Sequence, residues 1–267
     1  MNAFFAFILF SIICVGSLLV VSWANHIETR NRLIRQRIHI LKKQYEEIQQ
    51  LIITVDQTVE PRVIAKLLNE ESLSILASAR ELDSDDSFII AATKNAESLN
   101  KELSEDKEPD KRIYRIRESD AQIALAQYHL EKAANVLIHK QSRGEISYEE
   151  LTDFKLALLW AKLMLTVYSL IAQGHQAVSR GELLPARAYY QKARGGLTQS
   201  SHPDKRRKLL IKELKEIIDG KKQSISEDLM PENDYNPDRK IKEDNLLGED
   251  FDEENNLENA KKGAAAG

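Results

Sequence analysis

The chain has 267 residues, 38 Lys and Arg against 42 Asp and Glu, and a formal net charge of −4. Ten Gly, six Pro and one Cys exclude a collagen-like chain, a Pro/Gly-rich low-complexity chain and a disulfide framework. Charged residues at 30% with aromatics at 6% suit an all-α protein better than a β-sandwich. The acidic surplus is local: residues 223–267 hold 13 acids and 5 bases, which leaves the first 222 residues at +4.

From Phe4 to Trp23 there is no charged side chain, and Phe, Leu, Ile and Val dominate. Twenty helical residues rise about 30 Å, the thickness of a bilayer's hydrocarbon layer. Trp23 ends the run where an indole favours the membrane interface. The lone Cys14 inside it reads as a small apolar membrane residue. Residues 1–24 are thus predicted to be a single-pass transmembrane anchor.

Arg30, Arg32, Arg35, Arg37, Lys42 and Lys43 follow the anchor. Bases beside a span resist translocation, so the N-terminus is expected outside an inner membrane and the body on its cytoplasmic face. The same cluster attracts anionic headgroups at about 1 kcal/mol per base near the surface. A competing reading is a signal peptide cleaved after Ala24, which would release a periplasmic helical protein. The absence of Lys or Arg ahead of the run, and the run's length, argue against it.

Residues 25–60 form a basic juxtamembrane and heptad stem. Ile34, Leu41, Ile48 and Val55 recur every seven residues, and Ile38, Tyr45, Ile52 and Val59 do so four residues later. That spacing places all eight on one seam of a coiled coil or bundle helix. The seam needs a cover: a second copy of this chain, another protein, or the chain's own helices.

A helical bundle is expected over residues 61–222. Pro61 suits the first turn of a new helix, and Asp83 to Asp86 divide residues 61–104 into two helices. Ser104 to Asp110, with Pro109, reads as a linker. One long helix is predicted from about Lys111 to Ser142, ending at Gly144. A second runs from about Tyr148 to Ser179, opened by the capping-box pair Ser147 and Glu150. Leu156 to Ala172 is nearly apolar, but Lys155, Lys162, Thr166, Ser169, Gln173 and Gln176 form a narrow polar stripe. This points to a central bundle helix exposing one edge rather than a second membrane span.

Gly174, Gly181, Ala186, Tyr190 and Ala193 put small residues where two antiparallel helices approach closely, with Tyr190 filling the adjoining hole. Over about residues 167–200 this pattern resembles a tetratricopeptide repeat. The resemblance implies a helical-hairpin scaffold that binds peptides or partner proteins.

Further on, His202-Pro203-Asp204 resembles the signature loop of J-domain cochaperones, which would imply stimulation of a partner chaperone's ATPase. Helix-start chemistry offers a local account of the same residues: Ser201 or His202 as cap, Pro203 in the first turn, and Asp204 at the positive helix end. Gly195 and Gly196 are expected to interrupt the helix before this loop. The next helix is predicted from about Pro203 to Asp219.

Residues 201–222 hold 8 bases and 4 acids but no stacking aromatic, which argues against nucleic acid as a partner. Low apolar content makes residues 223–267 an expected disordered acidic tail, with Leu246, Leu247 and Phe251 among acids as a short docking segment.

No Gly-rich phosphate loop occurs, and no His pair has the spacing of a zinc protease. None of the six His residues has a Glu three positions before it, as the di-iron helix motif requires. No catalytic residue, cofactor or metal site is therefore expected. The expectation is a membrane-anchored helical adaptor whose partners are the lipid bilayer, another protein and, through the stem, a second copy of itself.

Overall fold

Before Pro61 the chain holds no proline and only one glycine, Gly16, so nothing in the sequence breaks a helix there. The computed structural model describes residues 2–104 and 113–231, and all regular structure among them is helical. Helix α1 runs without interruption over Asn2–Thr58, about 85 Å at 1.5 Å per residue. It is followed by α2 (Arg62–Leu82), α3 (Ser87–Ser104), α4 (Asp120–Ser142), α5 (Tyr148–Ser179), α6 (Leu183–Gln199) and α7 (Lys205–Ile218). The chain divides into two units, Met1–Ile52 with Ala65–Asp106, and Ile53–Ile64 with Lys107–Gly267. That division falls elsewhere than the stem–bundle boundary at 60/61 expected from periodicity.

In the first unit, α2 and α3 cover the heptad seam of α1. Tyr45 packs with Leu76, Ala92 and Ala96, while Ile38 packs with Ala79 and Ile89, flanked by Ile34, Leu41 and Leu82. Ile48 and Ile52 are buried as well. Of the three covers open to the seam, the chain's own helices supply the one seen here. Asn69 donates to the Ala96 carbonyl at 2.8 Å, tying α2 to α3.

Asp86 caps α3 by accepting from the backbone of Phe88 and Ile89, and pairs with Lys42 at 2.6 Å. That pairing, led by the Lys42 hydrogen bond, holds the Asp86 carboxyl below its ordinary range. Lys42 also lies 4.8 Å from the Phe88 ring centroid. It therefore departs from the basic cluster predicted for the membrane surface, whereas Arg30, Arg32, Arg35, Arg37 and Lys43 are exposed.

In the second unit, α5 is the central helix. By length and composition it could cross a membrane, but 56% of its most apolar stretch is buried inside the protein. Its core residues Met164, Val167, Tyr168 and Ile171 pack with Tyr190, Ala193 and Leu197 of α6 and with Leu210 and Leu214 of α7. Val55 and Val59, the last two seam residues, are buried here. The capping box at Ser147 and Glu150 forms in both directions.

Four expectations change. The helix predicted from Lys111 starts only at Asp120, because residues 113–117 run as a non-helical strap. Tyr114 N–H donates to Gln57, Arg117 N–H donates to the Ser169 hydroxyl, and Ser119 caps α4. The polar stripe of α5 is likewise not a free edge. Thr166 bonds Gln127 at 2.7 Å, Lys162 pairs with Glu131, and Gln173 donates to the Glu118 carbonyl.

Gly195 and Gly196 do not interrupt α6. Burial of Ala193 and Leu197 outweighs a glycine cost of about 1 kcal/mol per residue. The folded body also reaches past 223: Ile225 and Met230 are buried against the second unit's core, and the Tyr168 hydroxyl donates to the Leu229 carbonyl. The remainder of the acidic tail, including Leu246, Leu247 and Phe251, lies outside the described residues, as does most of the 104–110 linker.

Candidate functional site

The loop between α6 and α7 returns the chain across α5 and, with the end of α1 and the 113–117 strap, leaves an open cleft of about 550 Å³. Its walls are Glu60 and Pro61, Arg115, the α5 residues Leu156, Ala157, Trp160 and Ala161, and the run His202 to Arg206. All belong to the second unit.

The floor is apolar and aromatic. His202 stacks on Trp160 with ring centroids 4.9 Å apart and planes at 30°, and the Arg206 guanidinium lies 5.0 Å from the same indole's centroid. Asp204 N–H approaches His202 Nδ1 at 3.3 Å, while Nε2 lies 3.2 Å from the Leu156 carbonyl. The two contacts fit an imidazole carrying its hydrogen on Nε2, with Nδ1 accepting. Trp160 is 5% exposed and its Nε1 has no hydrogen-bond partner among the described residues.

The rim is charged. Arg206 bridges Asp204 at 2.8 Å and Glu60 at 2.8 Å, and Arg115 reaches Glu60 at 3.1 Å while donating to the Thr58 carbonyl. Burial opposes ionisation of Glu60, but hydrogen bonds and charge from Arg206 and Arg115 outweigh it and hold its carboxyl low. The Asp204 carboxyl is held low chiefly by its Arg206 hydrogen bond. These two acids raise the Arg206 value in turn. Two acids against Arg115, Lys205 and Arg206 leave the lining one positive charge in excess when His202 is neutral.

This geometry places the His202-Pro203-Asp204 loop plainly. Asp204 is the N-cap of α7, accepting from Arg206 N–H at 2.8 Å, so Pro203 stands just outside the helix instead of in its first turn. The His202 and Asp204 side chains are both engaged within the chain. No hydroxyl or thiol lines the cleft, and its apolar floor and paired rim suit non-covalent binding.

In the α5–α6 hairpin the structure brings Gly174, Ala186, Tyr190 and Ala193 together, while Gly181 lies in the turn. A Cβ built on Gly174 would lie 2.5 Å from Tyr190 Cε1, so only glycine admits that ring. The Tyr190 hydroxyl lies 2.7 Å from His175 Nδ1, and burial pushes the phenol above its ordinary range. Ala186 and Ala193 are buried, and Gly181 makes the turn at φ +77°. A second cavity of about 410 Å³ lies beside the hairpin, lined by Val178, Leu183, Tyr190 and Ile217 among others.

Sequence reasoning missed Arg115, Glu60 and Trp160 as neighbours. The one available signal was Trp160 itself, the sole tryptophan besides Trp23. Among the described residues no group of three or more His, Cys, Asp or Glu could hold a metal ion. Comparison with protein-family models, with curated proteins and with solved structures finds no match to this chain.

Proposed function

We propose that this protein is a membrane-anchored helical adaptor that presents the α5–α7 cleft to a protein partner at the cytoplasmic face of an inner membrane. The carrying observation is the start of α1. Over twenty uncharged residues precede the first basic one, and Leu18, Leu19, Val20, Val21 and Trp23 are each more than 60% exposed. A row of large apolar side chains left exposed among the described residues needs a non-aqueous or protein cover, and the length of the uncharged run matches a bilayer. The exposed Arg30, Arg32, Arg35, Arg37 and Lys43 support the orientation.

Anchoring confines the body to a thin layer, which raises its effective concentration for partners in the same membrane. The paired rim charges and aromatic floor of the cleft support a binding role for the second unit. The test has two arms. Membrane fractions washed at high pH should retain the full-length chain, with C-terminal reporters active on the cytoplasmic side only. Photocrosslinking from position 156 in intact membranes should yield one reproducible protein adduct. A soluble, shortened chain, or adducts to lipid alone, would overturn the reading.

A further inference from the structure

The exposed face of α7 carries a row of lysines. Lys205, Lys208, Lys212 and Lys215 fall within one sector of the helix, and all four are exposed. Lys205, Lys208 and Lys215 make no ion pair among the described residues, and Lys212 has only a 3.9 Å contact with Glu216. The row begins at the cleft, because Lys205 lines it, and continues for about 15 Å along α7. The structure thus joins an apolar, aromatic hole to a positive track in which, among the described residues, only Lys212 has an acidic neighbour.

We propose that cleft and track together bind an acidic peptide segment bearing one large apolar side chain, which enters the cleft over Trp160 and Leu156 while its acids lie along α7. The proposal rests on the adaptor reading and names the partner's chemistry. About four to five residues of extended peptide span the 15 Å row, so several acids can face the lysines at once. Charge complementarity selects the acids, and the recessed floor selects the form of the partner. A bilayer presents a plane and would engage protruding apolar groups, whereas here Trp160 is 5% exposed at the bottom of a hole, which a single side chain can enter. Most of the rim charge is already paired by Glu60 and Asp204, so the lysines of α7 are the groups left to attract an anion.

The experiment uses the full chain in neutral-lipid nanodiscs with Trp23→Phe, so that Trp160 is the only indole. The probe is a labelled synthetic peptide of Asp and Glu around a central Phe. We expect saturable binding by anisotropy, a change in Trp160 emission, and weakening as salt screens the lysines. Lys208→Gln with Lys212→Gln should weaken binding about three- to tenfold, as loss of two exposed charge pairs implies. Leu156→Ser, or Ser in place of the peptide's Phe, should abolish the Trp160 response. Circular dichroism checks that each variant remains helical.

No peptide binding, or equal binding by wild type and both variants, overturns the proposal. So does competition by phosphatidylglycerol vesicles that depends on the lysines but not on Leu156, which would assign the track to lipid. If position 156 still crosslinks a protein in membranes while the acidic peptide does not bind, the adaptor reading stands and this proposal falls. If neither occurs, both fall.

Discussion

Replacing Gly174 by Ala tests whether the α5–α6 hairpin is held by close approach or by ordinary helix packing. In an open helix the change would stabilise by about 1 kcal/mol through propensity alone. At Gly174 the new methyl would meet Tyr190 at 2.5 Å from Cε1 and 2.9 Å from both Cδ1 and Cζ. The ring cannot swing freely, since Tyr190 is 3% exposed and its hydroxyl is bonded to His175.

Overpacking of this kind costs about 1–3 kcal/mol, and displacing the phenol adds about 0.5–1.5 kcal/mol for the hydrogen bond. Set against the propensity gain, the net is a loss of about 0.5–3.5 kcal/mol. At about 2–4 °C per kcal/mol for a unit of this size, the transition should fall by roughly 1–14 °C.

The assay is thermal unfolding of the full chain in detergent, followed by helix signal. Gly195→Ala is the control, because nothing lies within 4 Å of a Cβ there and α6 continues through it. It should raise the transition. Gly174→Ala with Tyr190→Leu should recover the overpacking part of the loss but not the hydrogen bond to His175. If Gly174→Ala stabilised the protein as Gly195→Ala does, the close-approach argument would be refuted.

Three further outcomes follow from the geometry. Arg115→Ala removes the donor to the Thr58 carbonyl and one of the two arginines on Glu60, so urea unfolding should show a loss of about 1–3 kcal/mol. Ser147→Ala deletes the α5 cap and should cost about 1 kcal/mol, read as a lower thermal midpoint. Glu60 and Asp204 have folded-state values below their ordinary 4.5 and 3.8, so their contribution is complete above the unfolded values and is lost as pH falls through the folded ones. Trp160 emission in the Trp23→Phe chain should therefore hold steady from neutral pH to about 5 and change only below about 4.

Local patterns in the chain are physically strong where neighbours in sequence are also neighbours in space. The all-helical class, the break at Asp83 to Asp86, both ends of α5 and its capping box are of this kind, since each depends on contacts within a turn or two. Gly174, Ala186, Tyr190 and Ala193 were legible for a related reason: a short turn makes α5 and α6 adjacent, so small-residue spacing in each reports the same interface. The seam of α1 was legible as a buried face, but periodicity carries no label for what buries it.

Only the tertiary structure decided the rest. Residues 113–117 have helix-compatible composition, yet their polar groups are satisfied by Gln57 and Ser169, far off in sequence, and the backbone follows those partners. Glycines 195 and 196 look like a stop until Leu197 finds a core that outweighs them. The cleft joins residues near positions 60, 115, 160 and 204, and no local spacing encodes an ion pair such as Arg206 with Glu60. Sequence alone set which faces are apolar and where most helices start and stop, because those depend on dihedral preference and period. Which face meets which, and therefore where a binding site opens, depended on long-range burial and charge pairing that exist only once the chain has folded.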